Sequence, residues 1–321
     1  MLKYALPASL LLSVSAFAQT QVVTSIKPVS MIVTAIGGDE VKVEQLVNNQ
    51  ASPHDYAMRP SDLRKLDQAD LVVWVGESLE TFLEKPLANL SSKKDIEWMA
   101  LSGTYLREFG EEGHDHDHEE HDHEAHHDEH EDHDHEDHDH EEHGHEGHDH
   151  TGTDPHVWLD PANAKVLAHN VMEQLSKLDP EHKQEFAANY QDFVEALETA
   201  DNNVEATLAS IKDVPYFVFH EAYGYFEGHY GLNNKGAVTL SPERKPGAKT
   251  VANIRTEIEE HNVACVFSEP QFSPAIVETL IDGTDVKTAV LDPLGVSLKL
   301  SNDSYPAFLE ALAGQYATCL K

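Results

Sequence analysis

The chain has 321 residues, room for about two domains of ordinary size, and its 40% hydrophobic content excludes a wholly disordered protein. Its formal charge of -36 is concentrated in one place: residues 111–150 comprise 16 His, 20 Asp or Glu, three Gly and one Ala, and carry -20. The remaining -16 is still acidic, which argues against nucleic acid and anionic membranes as partners and is compatible with cations.

Residues 1–18 read as a cleavable export signal. Lys3 supplies the positive end, residues 5–14 a short apolar run, and Ala16-Phe17-Ala18 the small-residue cleavage pattern. A bilayer span needs about 20 apolar residues, more than this run offers. With no cysteine near the cut there is no lipid-attachment site, and an exported, unanchored protein points to a Gram-negative periplasm. The only cysteines, Cys265 and Cys319, read as a disulfide in an exported chain.

Strand and helix signals then alternate. An apolar strand at 22–26 precedes a helix opening at Pro28 and stopped by Gly37-Gly38. A strand at 41–47, a short helix capped by Ser61 and carrying Leu63 and Leu66, and the fully apolar strand 71–75 follow. Alternation of this kind implies βαβ units and a parallel sheet. Residues 111–150 interrupt it as a self-repelling, disordered surface insertion with nothing to bury. A helix resumes at Pro161, with Val166, Leu167, Val171, Leu175 and Leu178 on one face.

The longest helical signal follows. Asp179 suits an N-cap and Pro180 a first helical position, and Phe186, Tyr190, Phe193, Leu197, Val204, Leu208 and Ile211 recur near every 3.6 residues. A helix over 180–211 would span roughly 48 Å, long enough for a spine between two domains. Beyond it come strands at 216–219 and 238–240, a helix at 250–260 and a strand at 263–267. A helix from Ser273-Pro274 to Gly283, a strand at 286–291 and a helix at 306–316 complete the chain. The expected fold class is α/β, with an N-terminal lobe (19–178), a linking helix (179–211) and a C-terminal lobe (212–321). Each lobe should carry a parallel-type sheet flanked by helices.

Seven His lie outside the His-rich window. His54 sits in ASPHDYAMRPSD after a strand, His156 in DPHVWLDP before a helix, and His220 ends VPYFVF; Asp292 ends KTAVL in the same way. Ligands of parallel sheets bind outside the carboxyl ends of the strands, so an interlobe cleft could gather all four. Three imidazoles and a carboxylate suit tetrahedral Zn²⁺, although their spacing matches no short zinc motif and leaves the set open. Glu269, also at a strand end, is expected to orient a His ligand rather than bind metal. His169, His182 and His261 read as solvated, and His229 has no evident partner.

The segments SPHDYAMRPSD, DPHVWLDP, FVFHEAYGYFE, SPERKPGAKT, CVFSEPQF and LDPLG together resemble the ZnuA family of periplasmic zinc-binding receptors, in register from about residue 22 to the C-terminus. The resemblance implies two α/β lobes on a rigid linking helix, a monomer that captures Zn²⁺ and delivers it to the membrane permease of an ABC importer. By motif, His54, His156 and His220 match the three His ligands, Asp292 a carboxylate in or beside the site, and Cys265 and Cys319 a disulfide of the C-terminal lobe. Related manganese receptors usually place a carboxylate where His220 stands, and nitrogen there moves preference from Mn²⁺ toward Zn²⁺. Some zinc receptors carry a Glu just before the first His; here that residue is Pro53, which leaves the fourth ligand open between Asp292 and water.

The His-rich window reads either as a solubilising linker or, preferentially, as a low-affinity zinc-capturing segment, since imidazoles of ordinary pKa are mostly neutral at pH 7. Three His with an open position also describe a catalytic zinc, so a zinc hydrolase is the rival in another class; the chain has no HExxH, G-x-S-x-G or phosphate loop. An adhesin on the same fold is a second rival, weakened by the missing lipid-anchor cysteine. A receptor for Mn²⁺, Ni²⁺ or Cu²⁺ is a third; His220 disfavours Mn²⁺, whereas Cu²⁺ outcompetes Zn²⁺ at most nitrogen and oxygen sites. The expectation is a transport receptor and not an enzyme.

Overall fold

The computed structural model describes residues 19–90, 94–109, 152–239 and 246–321. The expected export signal and the His-rich window lie outside these residues, as do Ser241 to Lys245 of the SPERK motif.

Continuous apolar runs become the inner strands of two parallel sheets. Thr20–Thr24 (β1), Val41–Gln45 (β2), Leu71–Trp74 (β3) and Asp95–Glu97 (β4) pair in the order β2-β1-β3-β4. Tyr216–His220 (β5), Asn234–Thr239 (β6), Cys265–Ser268 (β7) and Lys287–Val290 (β8) repeat that plan as β6-β5-β7-β8. Every residue of β3 and β5 is buried, as strands covered by helices on both faces must be.

The helices are Lys27–Gly37 (α1), Pro60–Gln68 (α2), Thr81–Ala88 (α3), Pro161–Leu178 (α4), Lys183–Leu208 (α5), Gly224–Tyr230 (α6), Ala248–Glu260 (α7), Ala275–Ile281 (α8) and Ser304–Leu320 (α9). Helix α5 packs against α1, α4 and α9. One apolar core runs along it, from Ile32 and Leu167 through Phe193 and Leu197 to Tyr305, Phe308 and Leu309. The lobes are therefore joined by shared packing as well as by chain. Their approach is close at Gly295, where φ is +61° and a Cβ would lie 2.8 Å from Phe308 and 3.0 Å from Met31. Glycine alone satisfies both constraints. Among the described residues no helix is long and apolar enough to cross a membrane.

Some local expectations need correction. The long helix begins at Lys183, not Pro180, because Asp179 closes α4 and its carboxylate is taken by the His182 ring at 2.6 Å. Ser61 does not cap α2; Pro60 is the first helical residue, and the Asp62 carboxylate accepts the Arg59 N–H at 2.8 Å. Helices α3 and α6 and strand β4 are additions to the expected elements. Helix α3 contains Pro86, α6 contains two glycines, and β4 is only three residues long, so none carries a clear period.

Candidate metal centre

The three histidines stand where chain geometry leaves them little choice. His54 lies in a single 3-10 turn, Pro53–Asp55, opened by Ser52, whose hydroxyl accepts the His54 N–H at 3.2 Å. Pro53 fixes the first φ of that turn. His220 is the last residue of β5. His156 precedes the turn Val157–Leu159, and Asp160 then caps α4 by accepting N–H bonds from Ala162 and Asn163.

These rings come from both lobes and converge. Each offers a ring nitrogen within 4.8 Å of the others', and the centroids lie 5.3, 5.7 and 5.3 Å apart. His156 and His220 are 2% and 4% exposed; His54 is half-buried. Around them stand Trp158, Phe272, Pro293 and Leu294, and the space they line is about 20 Å³.

Hydrogen bonds fix two tautomers. His156 Nδ1 is 2.7 Å from Asp154 Oδ1, and His220 Nδ1 is 2.6 Å from Glu269 Oε1. An ionised carboxylate only accepts, so each Nδ1 carries a proton, and in the neutral ring each Nε2 then presents a lone pair. Those two Nε2 atoms nevertheless face one another at 3.4 Å. Two acceptors cannot bond to each other, and their lone pairs suit a cation placed between them and His54.

Among the described residues His54 has no carboxylate partner of this kind. Desolvation, with the two neighbouring imidazoles adding to it, holds its pKa well below 6.5. The sign follows: a depressed imidazole contributes folding stability above pH 6.5 and loses it as pH falls toward the lowered value. It also stays neutral, and so able to donate to a metal, where free imidazole is protonated. An NMR titration of the metal-free protein should find the His54 midpoint below 6.5; a midpoint at or above 6.5 would contradict this environment.

Asp292 follows β8 but does not join the three rings. Its carboxylate accepts N–H bonds from Leu294 at 3.2 Å and Val296 at 2.7 Å, and burial raises its pKa despite them. Gln271, which lines the space beside the rings, offsets part of that rise, although among the described residues its amide reaches strict hydrogen-bond geometry with no group. Glu269 has the orienting part expected of it. Asp154 takes the same part for His156 and is absent from the expected set, although a carboxylate two residues before a His, in Asp154-Pro155-His156, is a readable signal for such a role. Of the other His, His182 pairs with Asp179, His229 with Asp201 and His261 with Glu257, while His169 packs on Tyr190. Cys265 in β7 and Cys319 in α9 are disulfide-bonded.

Two parallel α/β lobes on a long helix, closing an ion-sized space walled by imidazole, define a bilobal receptor for a metal ion. A family model described as the periplasmic component A of a zinc-uptake complex, ZnuA, matches residues 22–319. The high-affinity zinc uptake system protein ZnuA of Yersinia pestis is 41% identical over 332 residues, covering 100% of this chain and 98% of that protein. The same-named protein of Haemophilus ducreyi is 43% identical, covering 97% of this chain and 96% of its own. A crystal structure of a ZnuA superposes with a TM-score of 0.74 at 24% identity, over 95% of this chain and 100% of the other. The chain belongs to the ZnuA family of periplasmic zinc-uptake components.

Proposed function

We propose that this protein captures Zn²⁺ in the periplasm through His54, His156 and His220 and delivers it to the membrane permease of an ABC importer. One observation carries the reading: ring nitrogens of His54, His156 and His220 lie within 4.8 Å of one another, with the Nε2 atoms of His156 and His220 3.4 Å apart and each of those two rings held at Nδ1 by a buried carboxylate. Neutral imidazole is a preferred donor to Zn²⁺, and three of them leave one position for an oxygen. Mn²⁺ favours harder oxygen donors.

The same space argues for a receptor rather than a hydrolase. About 20 Å³ admits one ion or one water, whereas pockets for organic ligands run to about 300–1,000 Å³. Residues 1–18 serve as the cleaved export signal in this reading, and the protein acts as a monomer, since one chain supplies every group of the site. The 111–150 segment collects zinc weakly.

The test is metal content. Protein purified from its native periplasm should hold zinc in preference to manganese, nickel or copper. Deleting residues 111–150 should leave a folded protein whose zinc stoichiometry at saturation falls from several to one. A deletion variant with no tight zinc site would overturn the assignment, and an intact protein that binds a single zinc would remove the capturing role of the segment.

Asp292 lies outside the three-ring cluster in this scheme and supports the site without touching the ion. Asp292→Asn should therefore weaken zinc binding about tenfold, as loss of an outer partner typically does, with little change in thermal stability. Isothermal titration would reveal a direct ligand instead by a loss of several hundredfold.

A further inference from the structure

Arg107 is a buried cation that sits next to the metal centre and takes no direct part in it. It is 8% exposed, and its Nη1 donates to Asp154 Oδ2 at 2.9 Å. Asp154 is wholly buried, and its other oxygen accepts from His156 twice, from Nδ1 at 2.7 Å and from the backbone N–H at 3.0 Å. One carboxylate is therefore shared between a metal-facing imidazole and a permanently charged guanidinium.

The C-terminal lobe holds the guanidinium in place. Tyr225 Oη accepts the Arg107 backbone N–H at 3.1 Å and donates to the Asp154 carbonyl at 2.8 Å, so one hydroxyl ties the two chain segments together. The guanidinium carbon lies 5.9 Å from the Tyr225 ring centroid. Beside it is Gly224, where a Cβ would come within 1.3 Å of Arg107 Nη1. Any side chain at 224 would expel the arginine. Arg107 itself comes from the N-terminal lobe, so its seat needs both lobes.

His220 offers the contrast. Its orienting carboxylate, Glu269, has the neutral Tyr223 hydroxyl as a neighbour and, among the described residues, no ion pair with a Lys or Arg. A carboxylate that accepts from a ligand imidazole increases that imidazole's donor strength, and a guanidinium on the same carboxylate withdraws part of the effect. The two imidazoles facing each other are thus unequal: His156 is backed by a carboxylate shared with a cation, and His220 by one that pairs with no Lys or Arg among the described residues.

We propose that Arg107 is a positioning residue that limits how tightly the centre holds zinc, by taking part of the Asp154 charge away from His156. The proposal rests on the zinc-receptor reading and adds to it a residue that sets release. A receptor that passes its cargo on cannot gain from unlimited affinity, and this pair supplies a limit without removing a ligand.

The test is zinc release to a chelator, measured on the full chain carrying Arg107→Gln or Arg107→Lys. Arg107→Gln should release zinc about tenfold more slowly, comparable in size and opposite in sign to the loss when an outer partner of a ligand His is removed. It should also shift the ligand-field absorption of the Co²⁺-substituted protein, which a purely structural role would leave unmoved. Arg107→Lys restores the charge and should return both readouts toward wild type. Unchanged or faster release in Arg107→Gln, or a lysine variant that behaves like the glutamine one, would overturn the proposal. If Arg107→Gln fails to fold because Asp154 is left unpaired, the Arg107→Gln/Asp154→Asn protein has no such charge. Its release rate should equal that of Asp154→Asn alone, and a further change would also overturn the proposal. A wild-type chain that binds no zinc would count against the receptor reading instead.

Discussion

Replacing His54, His156 or His220 by Ala should each abolish tight zinc binding, with a loss of roughly two orders of magnitude or more, since even outer partners of a ligand His change affinity by 10–100-fold. The loss should be larger than the cost of the missing contact. His156 and His220 are buried with their Nδ1 atoms held by Asp154 and Glu269; removing the His220 ring takes away the group that holds buried Glu269, whereas Asp154 keeps its ion pair with Arg107 when the His156 ring is lost. His54 is free of that complication, so His54→Ala is the cleanest of the three. The measurement belongs in protein lacking residues 111–150, because 16 further His could otherwise mask the defect. Near-wild-type affinity in any one variant would refute that residue's assignment.

Much of the architecture was legible because buried parallel strands announce themselves as unbroken apolar runs. Leu71–Trp74 and Tyr216–His220 are the clearest, and each anchors the centre of its sheet. The edge strand Asp95–Glu97 has charged ends and one buried residue, which is how a loop also reads. Helix Gly224–Tyr230 was invisible for a related reason: its sequence serves the Arg107 seat and the aromatic packing of Phe226 against Tyr316 rather than an amphipathic period. The site was half legible. His54, His156 and His220 fall at strand and helix ends where ligands of such sheets gather, and the ZnuA-like motifs set them apart from the other His. Asp292 occupies the right strand end, yet the turn after β8 folds its carboxylate onto the amides of Leu294 and Val296. Arg107 could not be read at all, since it meets Asp154 across 47 positions of chain and no local pattern encodes that contact.

The largest change in stability is expected at the disulfide. Cys265 opens β7 and Cys319 lies in the last turn of α9; both are buried, and the bond closes 54 residues of sequence. By the chain-entropy model, a loop of that length constrains the unfolded chain by roughly 4 kcal/mol, a large share of a typical stability of about 5–15 kcal/mol. Cys265→Ala/Cys319→Ala removes the link without burying a new polar group. The helix should stay docked, since Phe308, Leu312 and Tyr316 are buried and Lys287 Nζ still reaches the Cys319 carbonyl at 3.5 Å. Strand β7 is paired on both sides, by β5 and β8, so Glu269 just beyond it should keep its hold on His220. Zinc affinity is therefore expected to change little while stability falls. The two effects must be separated by working metal-free, because bound zinc adds its own stabilisation by mass action. Urea unfolding of the metal-free double variant should show a midpoint well below wild type, and reductant should lower the wild type toward it. A loss under about 1 kcal/mol would show that the packing of α9 alone holds the C-terminus, and a collapse of zinc affinity would show that the bond also sets the position of Glu269.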